Sequence, residues 1–168
     1  VTECSDFAIV PTDTLAAAAQ ETGIAPENVF VVPSFLSEQQ VLCTTRIDPP
    51  TYEGPLVCAS GTWTHARDFA TLAAPLARVL AAEDADGAGV RLLGAFSPIA
   101  DGDLAPLAHK ISSDPEVIRD WSRYVGRYAQ FRANLVPLDV DNGFCHAKSE
   151  VKYIEAGLAG VATAASDV

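Results

Sequence analysis

The sequence predicts an α/β fold, a Rossmann-like parallel sheet with helices on both faces. Short runs of strand type recur at Phe7–Val10, Val29–Val32, Leu56–Ala59, Val90–Leu93 and Asn134–Leu138. Between several of them, apolar residues step by three and four, the period of a helix that buries one face. Apolar residues make up 49% of the 168 positions, so the chain can build a real core and general disorder is excluded.

The first run, Phe7–Val10, leads to Thr12, a good N-cap residue, and to an Ala-rich helix from Asp13 to Thr22 with Gly23 at C′. Val29–Val32 completes a β-α-β step, the unit of a parallel sheet. From Pro33 to Pro55 the periodicity dissolves, and Pro49-Pro50 and Gly54-Pro55 punctuate a connector longer than an ordinary intradomain loop. Residues 34–55 therefore read as an interdomain linker, with the tail of one domain at 1–33 and a second domain at 56–168.

The second series opens with Leu56–Ala59, which runs into Ser60-Gly61-Thr62. Phe69, Leu72, Leu76 and Val79 form one apolar helical face, in which Pro75 predicts a kink or a late helix start. Asp84–Gly89 reads as a turn, and Val90–Leu93 as a strand ended by Gly94. Asp114-Pro115 resembles an N-cap and N1 pair, opening a helix with Val117, Trp121, Tyr124 and Tyr128 on one face. Arg119, Arg123 and Arg127 lie opposite, a solvated basic face in preference to a nucleic-acid site. After Asn134–Leu138 comes an Asp-rich loop, then a helix from Ala147 to Leu158 closed by Gly160, and a final strand at Val161–Ala165.

Charge narrows the partners. With 22 acids against 11 bases the net charge is −11, which argues against non-specific affinity for nucleic acid or anionic lipid. No base precedes Arg46, whereas that stretch holds Glu3, Asp6, Asp13, Glu21, Glu27 and Glu38, so an anionic ligand has to bind further along. Cys4, Cys43, Cys58 and Cys145 form no C-x-x-C pair and have no histidine at zinc spacing. Thiols of a reduced cytosolic protein are the expectation, with no metal site. No run reaches the roughly 18 uncharged apolar residues of a membrane span. A start without Met or a signal-peptide pattern suggests a fragment.

Two segments carry candidate chemistry. On a helix over 147–158, Ala147, Val151, Ile154 and Leu158 share the buried face, while Lys148, Lys152 and Glu155 form a neighbouring stripe. Lysines at i and i+4 repel by a few tenths of a kcal/mol, at roughly 0.2–0.5. Early in a helix they also oppose its dipole. Such a placement suits presentation of cations to a bound anion, beside free N–H groups at the helix start. A solvated face on which Lys152 pairs with Glu155 is the competing reading. In Ser60–Asp68, a strand entering a glycine turn and a helix is where α/β sheets hold ligands. Gly61 lets backbone approach a phosphate, and Thr62, Thr64 and Arg67 supply donors; an ordinary turn remains the alternative, because this is not G-x-G-x-x-G. His65, His109 and His146 have no G-x-S-x-G context, so a hydrolase triad is unsupported.

The run Lys148-Ser149-x-x-Lys152-x-x-Glu155-Ala156-Gly157-x-x-Gly160-Val161-x-Thr163-x-Ala165-Ser166 resembles the donor-site signature of family-one-type, retaining glycosyltransferases of the GT-B fold. Asn134-Leu135-Val136-Pro137-Leu138 resembles the strand before it, and Ser60-Gly61-Thr62-x-Thr64-His65-x-x-Asp68-Phe69 the glycine turn that opens the donor domain. Val10-Pro11-Thr12 and Val31-Val32-Pro33-Ser34 are similar to the close of the amino-terminal, acceptor-side domain. The resemblance implies half of a GT-B architecture, truncated: a nucleotide-sugar-binding domain over 56–168 that needs the missing amino-terminal domain for activity. It implies a nucleotide-diphosphate-sugar donor, a glycan or lipid-linked acceptor, and a role in polysaccharide or cell-surface glycan synthesis. No cofactor and no metal are implied, and the location is cytoplasmic or peripheral at the inner face of the membrane.

By the same resemblance Lys148 and Arg67 neutralise the departing diphosphate. Gly61, Thr62, His65, Asn142, Gly143, Phe144, Ser149, Lys152 and Glu155 bind the donor, with Glu155 on the ribose. The family's first glutamate falls on Ala147, so Asn142-Gly143-Phe144 is expected to take over sugar recognition, and Ala162 stands where proline is usual. A nucleotide-sugar 2-epimerase of the same architecture and a non-catalytic nucleotide-binding module are the alternatives.

Overall fold

The computed structural model describes residues 5–61, 65–82, 89–94, 102–116 and 118–167. It divides into two compact units, 1–36 with 140–151 and 168, and 37–139 with 152–167.

In the first unit, β1 (Ala8–Val10) pairs parallel with β2 (Val29–Val31), and α1 (Asp13–Glu21) connects them. The cap expected at Thr12 is present: its Oγ1 accepts from the Leu15 amide at 3.3 Å, and donates to the Ala147 carbonyl at 3.2 Å. One hydroxyl thus satisfies a helix terminus and ties α1 to the 3-10 turn Cys145–Ala147. Gly23, at φ +100°, ends the helix, with the Ile24 amide bonded back to the Ala19 carbonyl. This left-handed closure suits a residue without Cβ.

The second unit carries the main sheet, whose strands run parallel in the order β5-β4-β3-β6-β7. These are β3 (Leu56–Gly61), β4 (Val90–Gly94), β5 (Ile111–Asp114), β6 (Asn134–Val136) and β7 (Thr163–Ala165). Taken by position within the unit the order is 3-2-1-4-5, the doubly wound arrangement of a Rossmann-like sheet. Alternation along the strands feeds two cores. Leu56, Val90 and Leu92 pack with Phe69, Leu76 and Leu80, from α3 (Ala66–Ala70) and α4 (Ala73–Ala82). Val57 and Leu93 pack with Val125, Tyr128, Ala156 and Ala159, from the segment of α5 (Trp121–Gly126) and that of α6 (Val151–Leu158). Helices therefore cover both faces, and each large apolar side chain so buried contributes about 1.5–3 kcal/mol.

Several elements depart from the sequence reading. Pro75 is the third residue of α4, a late start instead of a kink. Ile111–Asp114 is an edge strand, so Asp114 does not cap a helix; Asp120 caps α5 instead, its Oδ1 accepting from the Arg123 amide at 3.0 Å. That bond also holds the Asp120 carboxyl below its usual range. Asp114 is engaged by Arg127, whose hydrogen bond lowers its pKa, and Arg127 lies 3.5 Å from Glu116. Arg123 is 3.1 Å from Glu116 as well, so two of the three arginines of the expected basic face are paired with carboxylates. Within the connector, α2 (Glu38–Thr44) begins with a complete capping box between Ser37 and Gln40. Finally, α6 begins at Val151, because Cys145–Ala147 forms its own 3-10 turn and Lys148 is extended at φ −72°, ψ 144°. Lys148 and Lys152 consequently do not share one helix.

The connector is fastened to the second unit. The Thr51 amide donates to the Ala129 carbonyl at 3.3 Å, and the Arg132 amide to the Pro55 carbonyl at 3.2 Å. A Cβ on Gly54 would collide with the Gln130 carbonyl. The obstacle is backbone, so it does not yield cheaply. Gly54→Ala is expected to lower stability by about 1–3 kcal/mol, the usual cost of overpacking. Urea denaturation of the variant against the parent chain measures it, and an unchanged midpoint contradicts the packing described.

Candidate functional site

Between β3 and β6 the sheet changes winding direction. The connections after β3 lie on one face, with Phe69 and Leu76, and α6 lies on the other, with Ala156 and Ala159. No crossover helix closes the carboxyl edge at such a point, which is where open α/β sheets bind ligands.

The segments leaving β3 and β6 meet there through polar side chains. Asp68, 3% exposed, accepts the Asp139 amide on Oδ1 at 3.1 Å, and its Oδ2 is 2.8 Å from His65 Nδ1. Arg67 Nε lies 2.7 Å from Asp139 Oδ2. The Arg67 side chain is 77% exposed and that of Asp139 is 8% exposed. The crevice thus holds two cationic or protonatable groups, His65 and Arg67, each anchored on a buried carboxylate. Burying a carboxylate is costly unless it is paired or hydrogen-bonded: Asp68 makes polar contacts through both oxygens, and Asp139 is charge-paired with Arg67. Gly61, also expected at the site, ends β3 in register with Gly94 across a β-bulge. Thr62 and Thr64 lie outside the described residues.

Elsewhere in the same unit, Lys152 and Glu155 lie on α6. Glu155 is half-buried and accepts a hydrogen bond from the Trp121 side chain. Burial pushes its pKa up; the Trp121 bond and the charge of Lys152 pull it down by less. Asn134, fully buried on β6, donates through Nδ2 to the Lys152 carbonyl and to Thr163 Oγ1, both at 3.3 Å. That side chain fixes the first turn of α6 against β6 and β7. Sequence reading took Asn134 only as part of a strand pattern.

In the first unit, the segment 140–148 forms a compact loop. Asn142 Oδ1 accepts from the Phe144 amide at 3.0 Å, and the Asn142 carbonyl from the Cys145 amide at 2.8 Å. His146 Nε2 is 2.8 Å from the Val140 carbonyl. Lys148 Nζ sits 5.6 Å from the centroid of the Phe144 ring, a cation–π contact, and that ring is 69% exposed. Gly143 has open space where a Cβ would stand. Asn142, Gly143, Phe144 and Lys148 are thus brought together, followed by half-buried Ser149.

Among the described residues no group of His, Cys, Asp and Glu is arranged to hold a metal ion. No described helix is long and apolar enough to cross a membrane. Cys43 is a free thiol. A cavity of about 580 Å³ lies away from the switch point, between the connector at Cys43–Thr51 and α5 with its extension to Gln130; no candidate site residue lines it.

The solved structure of TarM superposes on this chain with a TM-score of 0.56 and 13% identity, covering 99% of this chain and 30% of TarM. The likeness is one of fold. It joins the observed strand order in establishing a Rossmann-like α/β architecture, and the chain spans less than a third of TarM. No protein-family model and no curated sequence matches the chain.

The Glu155 environment gives a pH-dependent expectation. Its folded pKa exceeds its unfolded value, so the folded chain binds more protons between the two. The stability this group contributes is complete below the ordinary glutamate pKa and is lost as pH rises through the folded value. Glu155→Gln removes the ionisation, so the variant should gain stability over the parent between about pH 4 and about pH 7. Urea midpoints at both pH values read this directly, and a gap that shrinks with rising pH contradicts the burial described.

Proposed function

We propose that this chain is the donor-binding part of a glycosyltransferase. It takes a nucleotide-diphosphate sugar at the switch-point crevice and, with an acceptor-side domain, transfers the sugar to a glycan or lipid-linked acceptor. The observation that carries the reading is Arg67. Its Nε is held by Asp139, its side chain is largely open to solvent, and it stands at the carboxyl edge between β3 and β6. TarM, whose fold the chain shares, is a glycosyltransferase of GT-B type, which supports the reading. The Lys148–Ser166 signature adds the donor class.

As the bond between sugar and diphosphate breaks, negative charge develops on the phosphate oxygens. Fixed cations aimed at that charge stabilise the transition state more than the ground state. Arg67 and Lys148 have this role in the proposal, and fixed cations can replace a divalent metal in it. Glu155 accepts from the ribose hydroxyls, and Asn142, Gly143 and Phe144 approach the sugar. Gly61, Thr62, His65, Ser149 and Lys152 are the further donor-binding residues of the proposal, and configuration at the anomeric carbon is retained. A place in polysaccharide or cell-surface glycan synthesis, on the cytoplasmic side, follows from the same resemblance.

Calorimetric titration of the chain with UDP and GDP tests the proposal. One diphosphate should bind more tightly than its nucleoside, and Lys148→Ala and Arg67→Ala should each weaken it by about tenfold, the size of a lost charge-assisted hydrogen bond. The nucleoside should bind all three proteins alike. Absence of diphosphate binding refutes the reading. Donor breakdown without acceptor in the longer enzyme indicates epimerase chemistry instead, and binding with no turnover there indicates a non-catalytic module.

A further inference from the structure

Asp139 stands outside every motif that the sequence displays, yet it makes the closest polar contact to Arg67. It follows β6 by three residues, is 8% exposed in its side chain, and places Oδ2 at 2.7 Å from Arg67 Nε. Its own position is fixed from behind, because its amide donates to the buried Asp68 carboxylate, which is also engaged by His65. Asp139 is thus a preset anchor, whereas Arg67 is an exposed side chain whose orientation needs one.

We propose that Asp139 is a positioning residue: its carboxylate, ion-paired with Arg67 beside Nε, restrains the guanidinium and presents its terminal nitrogens to the phosphate oxygens of the ligand. This rests on the reading of the crevice as a diphosphate site. An unrestrained arginine carries about 2 kcal/mol of rotamer entropy, much of which is lost when it grips a ligand. Restraint at Nε removes that loss beforehand and leaves Nη1 and Nη2 available for bidentate contact, the geometry that arginine offers phosphate. The carboxylate also offsets part of the arginine charge. If that cost outweighed the orientation gained, Asp139 would compete with the ligand, and its neutralisation would tighten binding. The two possibilities differ in sign.

Asp139→Asn separates them, since asparagine keeps the backbone amide that Asp68 accepts and removes only the charge. In the parent chain, ¹⁵N relaxation of Arg67 Nε should report a restrained side chain, and in Asp139→Asn a mobile one. Titrated with UDP and GDP, Asp139→Asn should bind the preferred diphosphate about tenfold more weakly and the nucleoside unchanged. In an Arg67→Ala background it should have no further effect, because it acts through the arginine. Equal or tighter diphosphate binding by Asp139→Asn, or an equal loss in both backgrounds, overturns the inference while the function stands. A parent chain that binds neither diphosphate overturns both.

Discussion

One hydrogen bond, from the Asp139 amide to the Asp68 carboxylate, joins the ends of two strands that no helix connects. At a winding switch the connections of the two halves run on opposite faces of the sheet, here with Phe69 and Leu76 and with Ala156 and Ala159. Apolar packing fills those two layers, which strands of both halves feed, and does not join the carboxyl edge between β3 and β6. A polar contact has to close it, and in a buried place that contact must satisfy all its partners or cost several kcal/mol, roughly 2–7 for an unpaired group. Asp68 meets this demand by accepting from both His65 and Asp139. The same arrangement that makes the crevice stable also orders the charged groups lining it.

The sheet was legible in the sequence wherever a strand is central. Leu56–Ala59 reads as an apolar run and Val90–Leu93 as one interrupted only by Arg91, and Val57, Val90, Leu92 and Leu93 are buried. Ile111–Asp114 was illegible because it is an edge strand with one apolar residue, and its Asp114-Pro115 end imitates a helix cap. The choice between Asp114 and Asp120 as cap depends on Arg127 occupying Asp114, a contact across 13 residues that no local window contains. The helix in the connector left a local sign, the Ser37-x-x-Gln40 capping box, but the flanking prolines masked it.

The candidate site was legible in part, for a related reason. Residues on strand-to-helix turns can be found by residue type and order, as His65 and Arg67 at the carboxyl edge are. Asp139 and Asp68 act through contacts spanning 71 residues, so only the fold brings them together. The i, i+4 pairing of Lys148 and Lys152 failed because the chain spends Cys145–Ala147 on a separate 3-10 turn. That turn is held by the Thr12 hydroxyl, 135 residues away in sequence. A helical period cannot reveal where a distant side chain interrupts it.

The balance of charge constrains how such a site selects its ligand. The chain carries a net charge of −11, and Arg67 and the protonatable His65 each face a carboxylate. Long-range attraction of an anion is therefore weak, and is screened beyond about 8 Å at physiological ionic strength. Discrimination has to arise at contact, from hydrogen bonds whose directions are set before the ligand arrives. Under the proposed function, two consequences would set the chain apart from a nucleic-acid binder, whose affinity comes from many phosphate contacts and collapses with added salt. Salt should alter ligand affinity only modestly, and the geometry of a single arginine should matter more than the number of bases nearby. Paired carboxylates are thus compatible with anion recognition: they trade net attraction for orientation.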